Sequence, residues 1–318
     1  MNLRVLAALL ITLILWSSAF AAIRGALHAY DPGSLAFLRF ATASLALGIF
    51  ALITRMRLPD FQDVPMILVC GVFGISAYHL LLNYGEVTVE AGTSAFLINT
   101  SPLFTVLIAR WVLNERLRLA GWLGIGISLL GVLLIVLGKN KGFSFHTDAL
   151  YIVGAAFASS IYIVLHKPYL KKYRAVEFMT YMIWAGTATL LVFAPHAIAQ
   201  LRTAPLQPTL LIVYLGVFPA AVAYVTWTYL MAVMPVSRAV TMLYLVPPFA
   251  TFFGWLFLGE APGLIAFAGG LLALLGVIVV NRWGKVVEAK SVVSDSPALD
   301  TNSIVSSEPS ASATQVVK

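Results

Sequence analysis

Charge is scarce in this chain. Asp, Glu, Lys and Arg make up 10% of its 318 residues, while 60% are apolar and the mean hydropathy is +0.93. Such a composition lies far outside the soluble range, so the chain reads as an integral membrane protein whose surroundings are a lipid bilayer. One cysteine, Cys70, stands inside an apolar run. It excludes an intrachain disulfide and a cysteine-based metal site. An Asp-rich pair, a His-Glu-x-x-His sequence and a glycine-rich phosphate loop are all missing. A metal-assisted lipid or isoprenoid transferase and an ATP-driven pump would need them, so no enzyme and no cofactor is expected. The net charge of +7 would point to nucleic acid in a soluble chain. Here the basic residues sit between apolar runs, so no nucleic-acid partner is expected and the charges report topology instead.

What is abundant is apolar helix. A hydrocarbon core of about 30 Å takes roughly 20 helical residues to cross. Ten stretches qualify, near 5–23, 33–54, 64–84, 89–109, 119–138, 147–166, 176–198, 209–230, 236–258 and 262–282. Arg4, the following apolar run and the small residues around Ala19-Phe20-Ala21 also fit a cleaved signal peptide. Against that, no polar mature segment follows Ala22, and losing this span would leave nine. With the N-terminus inside, fourteen Lys and Arg beside the spans fall on the cytoplasmic face, while Arg24, Lys139, Lys141 and Arg202 fall on the other. Both termini are therefore expected in the cytoplasm. Residues 284–318 have no aromatic side chain and little periodicity, and are expected to form a disordered cytoplasmic tail.

The second half repeats the first 145 residues later. Pro102 and Glu115 recur as Pro247 and Glu260, Gly71 as Gly216, Tyr84 as Tyr229, Gly124 as Gly269, and Leu129-Leu130-Gly131-Val132 as Leu274-Leu275-Gly276-Val277. The match runs without insertion from Gly71 to Val132, which marks a duplication. Five spans per copy is an odd number, so the second copy is inverted. The expected architecture is an all-α membrane protein of ten transmembrane helices, as two inverted five-helix repeats over residues 1–142 and 143–283. Such repeats are a device of secondary transporters, with the substrate between the halves near the midplane.

Particular residues carry a family resemblance. Trp16-Ser17-Ser18-Ala19-Phe20, Leu38-Arg39-Phe40, Pro102 with Glu115, and Pro247 with Gly259-Glu260 resemble the EamA type of the drug/metabolite transporter superfamily, over residues 1 to about 283. The resemblance implies a ten-helix transporter of a bacterial inner membrane, many relatives exporting amino acids or other metabolites. It does not fix the substrate.

Polar groups at membrane depth are costly and usually face a protein interior or a wet cavity. His79 and Asn83 share a face of the third span, which Glu86 and Glu90 would continue if the helix did not break near Gly85. His79 is either a substrate or proton ligand or a neutral histidine bonded between helices. Ser159, Tyr162 and His166 line one face of the sixth span, and Tyr224 with Trp227 or Thr228 one face of the eighth. With Trp16, Tyr78 and Tyr244 they suit a pocket for a small amphipathic solute, although interfacial belts also use Trp and Tyr. Asn99 stands mid-span above Pro102. Pro102 and Pro247 occupy equivalent places, as hinge, cavity lining or kinked packing. Arg39 either meets an anionic substrate or pairs with a helix carbonyl end or a distant carboxylate. Glu115 and Glu260 read as structural. Gly121, Gly124, Gly131, Gly269 and Gly276 are assigned to packing or a dimer contact, leaving monomer and homodimer open.

The expected function is secondary transport of a small metabolite, with amino acid export foremost. Proton-coupled drug efflux is the alternative, although the first span holds no Asp or Glu, so His79, His166 or Glu90 would have to carry the proton. A metabolite sensor signalling through the tail is a third class, which the fold does not decide.

Overall fold

Helices dominate because a bilayer offers no water to backbone N–H and C=O groups, so a spanning segment must satisfy them internally. The structure, a computed structural model, describes residues 3–113, 118–139, 142–143, 147–233 and 243–283. Glu115, Arg116, Lys141, Arg238, Lys285, Lys290 and the whole 284–318 segment lie outside the described residues, as does the side chain of Thr228. In chain order, α1 is Leu3–Ala26, α2 Pro32–Thr54, α3 Phe61–Glu86, α4 Ala91–Ile98, α5 Ser101–Leu113 and α6 Leu119–Leu137. A two-residue antiparallel pair follows, β1 Gly138–Lys139 with β2 Gly142–Phe143. Next come α7 Thr147–His166 and α8 Val176–Thr203. The helix α9 begins as Leu206–Val217 and runs through Phe218–Val222 into Ala223–Val233. Last are α10 Val246–Leu258 and α11 Leu264–Trp283. Among the described residues, six helices are long and apolar enough to cross a membrane, and three shorter apolar helices accompany them. Leu52, Leu123, Leu210, Phe257 and many other large apolar side chains are exposed, which suits contact with lipid chains and not with water.

Two differences from the sequence reading have local causes. The stretch expected as one helix over 89–109 is two, α4 and α5, broken at Asn99. Pro102 has no N–H to return to the carbonyl of Ile98. Asn99 also turns its amide back on Ala95, with Nδ2 donating to that carbonyl at 2.9 Å. The third helix, by contrast, continues past Gly85 to Glu86, so Glu86 joins the His79 and Asn83 face. It accommodates a π-helical turn at Val72–Ala77. A second π-helical turn, Phe218–Val222, interrupts α9 at the equivalent place of the repeat.

Small residues set the closest helix contacts. A side chain at Gly124 would meet the carbonyl of Gly276 at 2.8 Å, and one at Gly269 would meet the carbonyl of Gly131 at 2.7 Å. These four glycines are two pairs of repeat equivalents, so α6 and α11 cross antiparallel with each equivalent touching the other's counterpart. The same exchange occurs at Gly71 and Gly216. Gly71 packs on Met182, Ala185 and Gly186 of α8, and Gly216 on Arg39 and Thr42 of α2.

The start of α2 shows how a short connection is held. Asp31 adopts an extended backbone and its Oδ1 accepts from the N–H groups of Gly33 and Ser34 at 2.9 and 3.0 Å, with Pro32 in the first turn. Burial acts to raise the Asp31 pKa, but the hydrogen bonds from Ser34 and Gly33 and the neighbouring His196 outweigh it and hold the carboxyl below its ordinary value. Asp31→Ala is expected to cost about 1 kcal/mol of stability, and Asp31→Asn less, measured as the fall in melting temperature of the purified protein. A group whose folded pKa is depressed stabilises above its unfolded pKa and loses that contribution as pH falls through the folded value. The difference between the wild-type protein and the Asp31→Ala variant should therefore shrink as pH drops below the usual carboxylate range.

Candidate functional site

Helices from both halves bring aromatic and polar side chains together inside the bundle. Trp16 of α1 donates its indole Nε1 to the carbonyl of Pro219 at 3.1 Å, inside the π-helical turn where the regular backbone ladder is displaced. Its ring meets Tyr224 edge-on at 5.5 Å and Trp227 at 5.4 Å. On α3, Tyr78 follows the other π-helical turn and packs its ring 4.4 Å from His79, which lies 4.5 Å from Phe40 of α2. Arg39 Nη1 is 3.4 Å from His79 Nδ1. From α7, Tyr162 fits against Gly74, where a side chain would come within 2.8 Å of its ring. Its ring is also 5.3 Å from His166, whose Nδ1 lies 2.9 Å from the Tyr162 carbonyl. Arg39 is within electrostatic reach of Tyr78, Tyr224 and Glu86, and Tyr162 of Tyr78 and Tyr224. The result is a packed cluster of aromatic side chains around one buried guanidinium, with several hydroxyl and imidazole groups.

Other residues singled out in the sequence stand apart. Asn83 donates Nδ2 to the Pro32 carbonyl at 3.0 Å, nearer the end of the bundle. Asn99 bonds within its own helix, so its amide serves the α4–α5 break. Pro102 is half-buried in the first turn of α5, and Pro247 is buried in the first turn of α10. Tyr244 packs between the main core and the smaller cluster around Leu103 and Val277. Ser159 leaves the Tyr162 face to meet Ser101 Oγ at 2.8 Å.

Arg39 is the buried cation at the centre of this cluster. Its guanidinium lies beside His79, with Nε buried and unpartnered, and no carboxylate is within ion-pair distance among the described residues. The motif Leu38-Arg39-Phe40 was visible. The proximity of His79, forty residues away, was not. Glu86 was also passed over; it is fully buried and both carboxylate oxygens lack a hydrogen bond among the described residues.

The end of the bundle near Glu86 is clamped. Arg24 pairs with Glu260 Oε1 at 2.6 Å and donates Nη1 to the carbonyls of Glu86 and Val87 at 2.6 and 2.7 Å, satisfying the open end of α3. Glu260 Oε2 in turn accepts from Ala91 N–H at 3.4 Å. At the opposite end Lys172 pairs with Asp60 and Asp63 at 2.7 and 2.5 Å, and Tyr181 donates to the Arg57 carbonyl. Hydrogen bonding to Asp60 and Asp63 raises the Lys172 pKa above its ordinary value. Among the described residues no group of three His, Cys, Asp or Glu side chains is placed to hold a metal.

A bundle of apolar helices, six of them among the described residues long and apolar enough to cross a membrane, packed around a buried aromatic and basic cluster is the architecture of a multi-pass membrane protein. The model of the EamA-like transporter family matches the chain twice, at residues 3–137 and 147–282, and the chain belongs to that family of transporters. Its relatives include the "Uncharacterized transporter YdfC" of Bacillus subtilis (strain 168), 41% identical over 276 residues, which are 86% of this chain and 90% of that protein. The "Probable terminal-alkyne amino-acid exporter" of Streptantibioticus cattleyicolor is 39% identical over 275 residues, 86% of this chain and 92% of that one. The "Uncharacterized inner membrane transporter YedA" of Escherichia coli (strain K12) is 25% identical over 285 residues, 88% and 91% of the two chains. A solved crystal structure 24% identical in sequence shares the fold with a TM-score of 0.58, covering 86% of this chain and 96% of its own.

Proposed function

We propose that this chain is a secondary transporter that exports an amino acid or a related small metabolite across a bacterial inner membrane by alternating access. The observation that carries the reading is the buried cluster to which α1, α2 and α3 of one half and α7 and α9 of the other contribute Trp16, Arg39, Tyr78, His79, Tyr162, Tyr224 and Trp227, side chains that in this reading line the solute's chamber. Aromatic faces give a solute apolar contact and the polar tips fix its orientation. Two inverted repeats, residues 1–142 and 143–283, are supported by the reciprocal contacts of Gly124 with Gly276 and Gly131 with Gly269, the exchange of partners expected of repeat equivalents under a two-fold axis in the membrane plane. The paired π-helical turns of α3 and α9 agree with the same axis. Both termini are cytoplasmic in this reading, so the Arg24–Glu260 clamp closes the outer face and the Lys172 pairs lie inside. An amino acid as substrate is supported by the chamber's mix of groups and by the printed description of the Streptantibioticus relative.

The test is uptake into proteoliposomes holding the purified protein, with labelled amino acids, with and without an imposed pH gradient. Saturable flux is expected, and its response to the gradient decides whether protons move with the substrate. Folded protein that moves no amino acid would overturn the substrate class.

A further inference from the structure

Arg39 carries a buried charge with no ion-pair partner among the described residues. It is 3% exposed and lies seven residues into α2, about 10 Å below the start of the helix at 1.5 Å per residue. Among the described residues no carboxylate approaches it within the 4 Å of an ion pair; the ion pairs belong to Arg24, Lys172 and His196. The contacts it has are a 3.4 Å approach of Nη1 to His79 Nδ1 and the Phe40 ring 5.4 Å from its guanidinium carbon. Nε is buried without a partner, and so is Nε2 of His79. Glu86 feels the Arg39 charge but makes no hydrogen bond to it.

A guanidinium never loses its charge in a protein, and a buried one is stable only when an anion and hydrogen bonds compensate it. Here Nη1 leans on His79 while Nε, on the side edge of the fork, is buried without a partner. That geometry is complementary to a planar carboxylate, which accepts from a guanidinium through two parallel bonds. The rings of Trp16, Tyr224 and Trp227 would meet the rest of such a molecule. We infer that Arg39 is the anion anchor of the chamber and that the transported solute carries a carboxylate, held by Arg39 with His79 as the positioning partner of the guanidinium. The inference deepens the transport reading and rests on it for the occupant, but the anchor is testable without flux.

The experiment measures thermal stabilisation of purified full-length protein by benzoate, benzamide and benzylamine at equal ionic strength, and by the twenty free amino acids beside the amide of the best one. Carboxylates are expected to raise the melting temperature of the wild type, and the amides and benzylamine are not. Arg39→Gln should raise the half-saturating carboxylate concentration by about tenfold or more, and Arg39→Lys by less, because it keeps the charge but not the fork. The wild-type comparison of acid with amide needs no variant, so a misfolded Arg39→Gln protein does not weaken the test. Equal stabilisation by acid and amide, equal stabilisation of wild type and a folded Arg39→Gln protein, or no stabilisation by any carboxylate would each overturn the anchor. Carboxylate stabilisation without amino acid flux would retain the anchor and overturn the amino acid reading.

Discussion

Gly269→Val is expected to prevent accumulation of folded protein. At Gly269 any side chain would meet the Gly131 carbonyl at 2.7 Å and the backbone of Ile135 at 3.0 Å. Backbone atoms cannot rotate aside, so α6 and α11 would have to separate and lose the close packing that holds helices together where lipid is as apolar as the side chains. The expected cost exceeds about 3 kcal/mol, beyond the usual overpacking range because no flexible group can yield. Gly126→Ala on the same α6 has open space around its added carbon and should express and melt like the wild type. Size-exclusion profiles and yields of the two variants in mild detergent provide the check. A monodisperse Gly269→Val protein with unchanged melting temperature would show that α6 and α11 are not packed as described.

The second large effect is expected in flux. Trp16→Ala removes the indole hydrogen bond to Pro219 and the ring contacts with Tyr224 and Trp227. The two ring contacts fix the side chain in place, and one aromatic contact with the solute, worth about 0.5 to 1.5 kcal/mol, would be lost with the ring, so saturable uptake at low substrate concentration should fall by up to about tenfold. Because Trp16 is only half-buried, the protein should still fold. Trp16→Phe, which keeps a ring without the indole donor, should fall between wild type and Trp16→Ala. Wild-type uptake by a folded Trp16→Ala protein would move the solute path away from α1 and α9.

How far the chain could be read before its structure was known depends on what each feature requires of the residues. Gly121, Gly124, Gly131, Gly269 and Gly276 read as packing or a dimer contact because a glycine inside an apolar helix lets a neighbour come close, and Gly124, Gly131, Gly269 and Gly276 make that approach within the chain. The break at Asn99 was half legible. Pro102 announced a lost donor, but whether the helix bends or stops depends on Asn99 taking the Ala95 carbonyl. The π-helical turns left no signal of their own, since Val72–Ala77 contains no residue that demands one and only Pro219 hints at the second. Neighbours within a face, such as Tyr162 and His166, follow from helical spacing. The meeting of Arg39 with His79, or of Trp16 with Tyr224, depends on tertiary packing that spacing does not contain. Glu86 was missed because Gly85 was given a helix-ending role that the fold does not use.

The central claim is that a solute occupies the chamber and leaves by either face in turn. Counterflow tests it most directly, in proteoliposomes preloaded with an unlabelled amino acid that the uptake panel identifies as a substrate, diluted into a trace of the labelled form. Alternating access predicts a transient accumulation of label above its equilibrium level that depends on the preload and builds up several-fold more slowly with Trp16→Ala. Label entry that never exceeds equilibrium, at a rate indifferent to the preload, would contradict it and describe a passive pore.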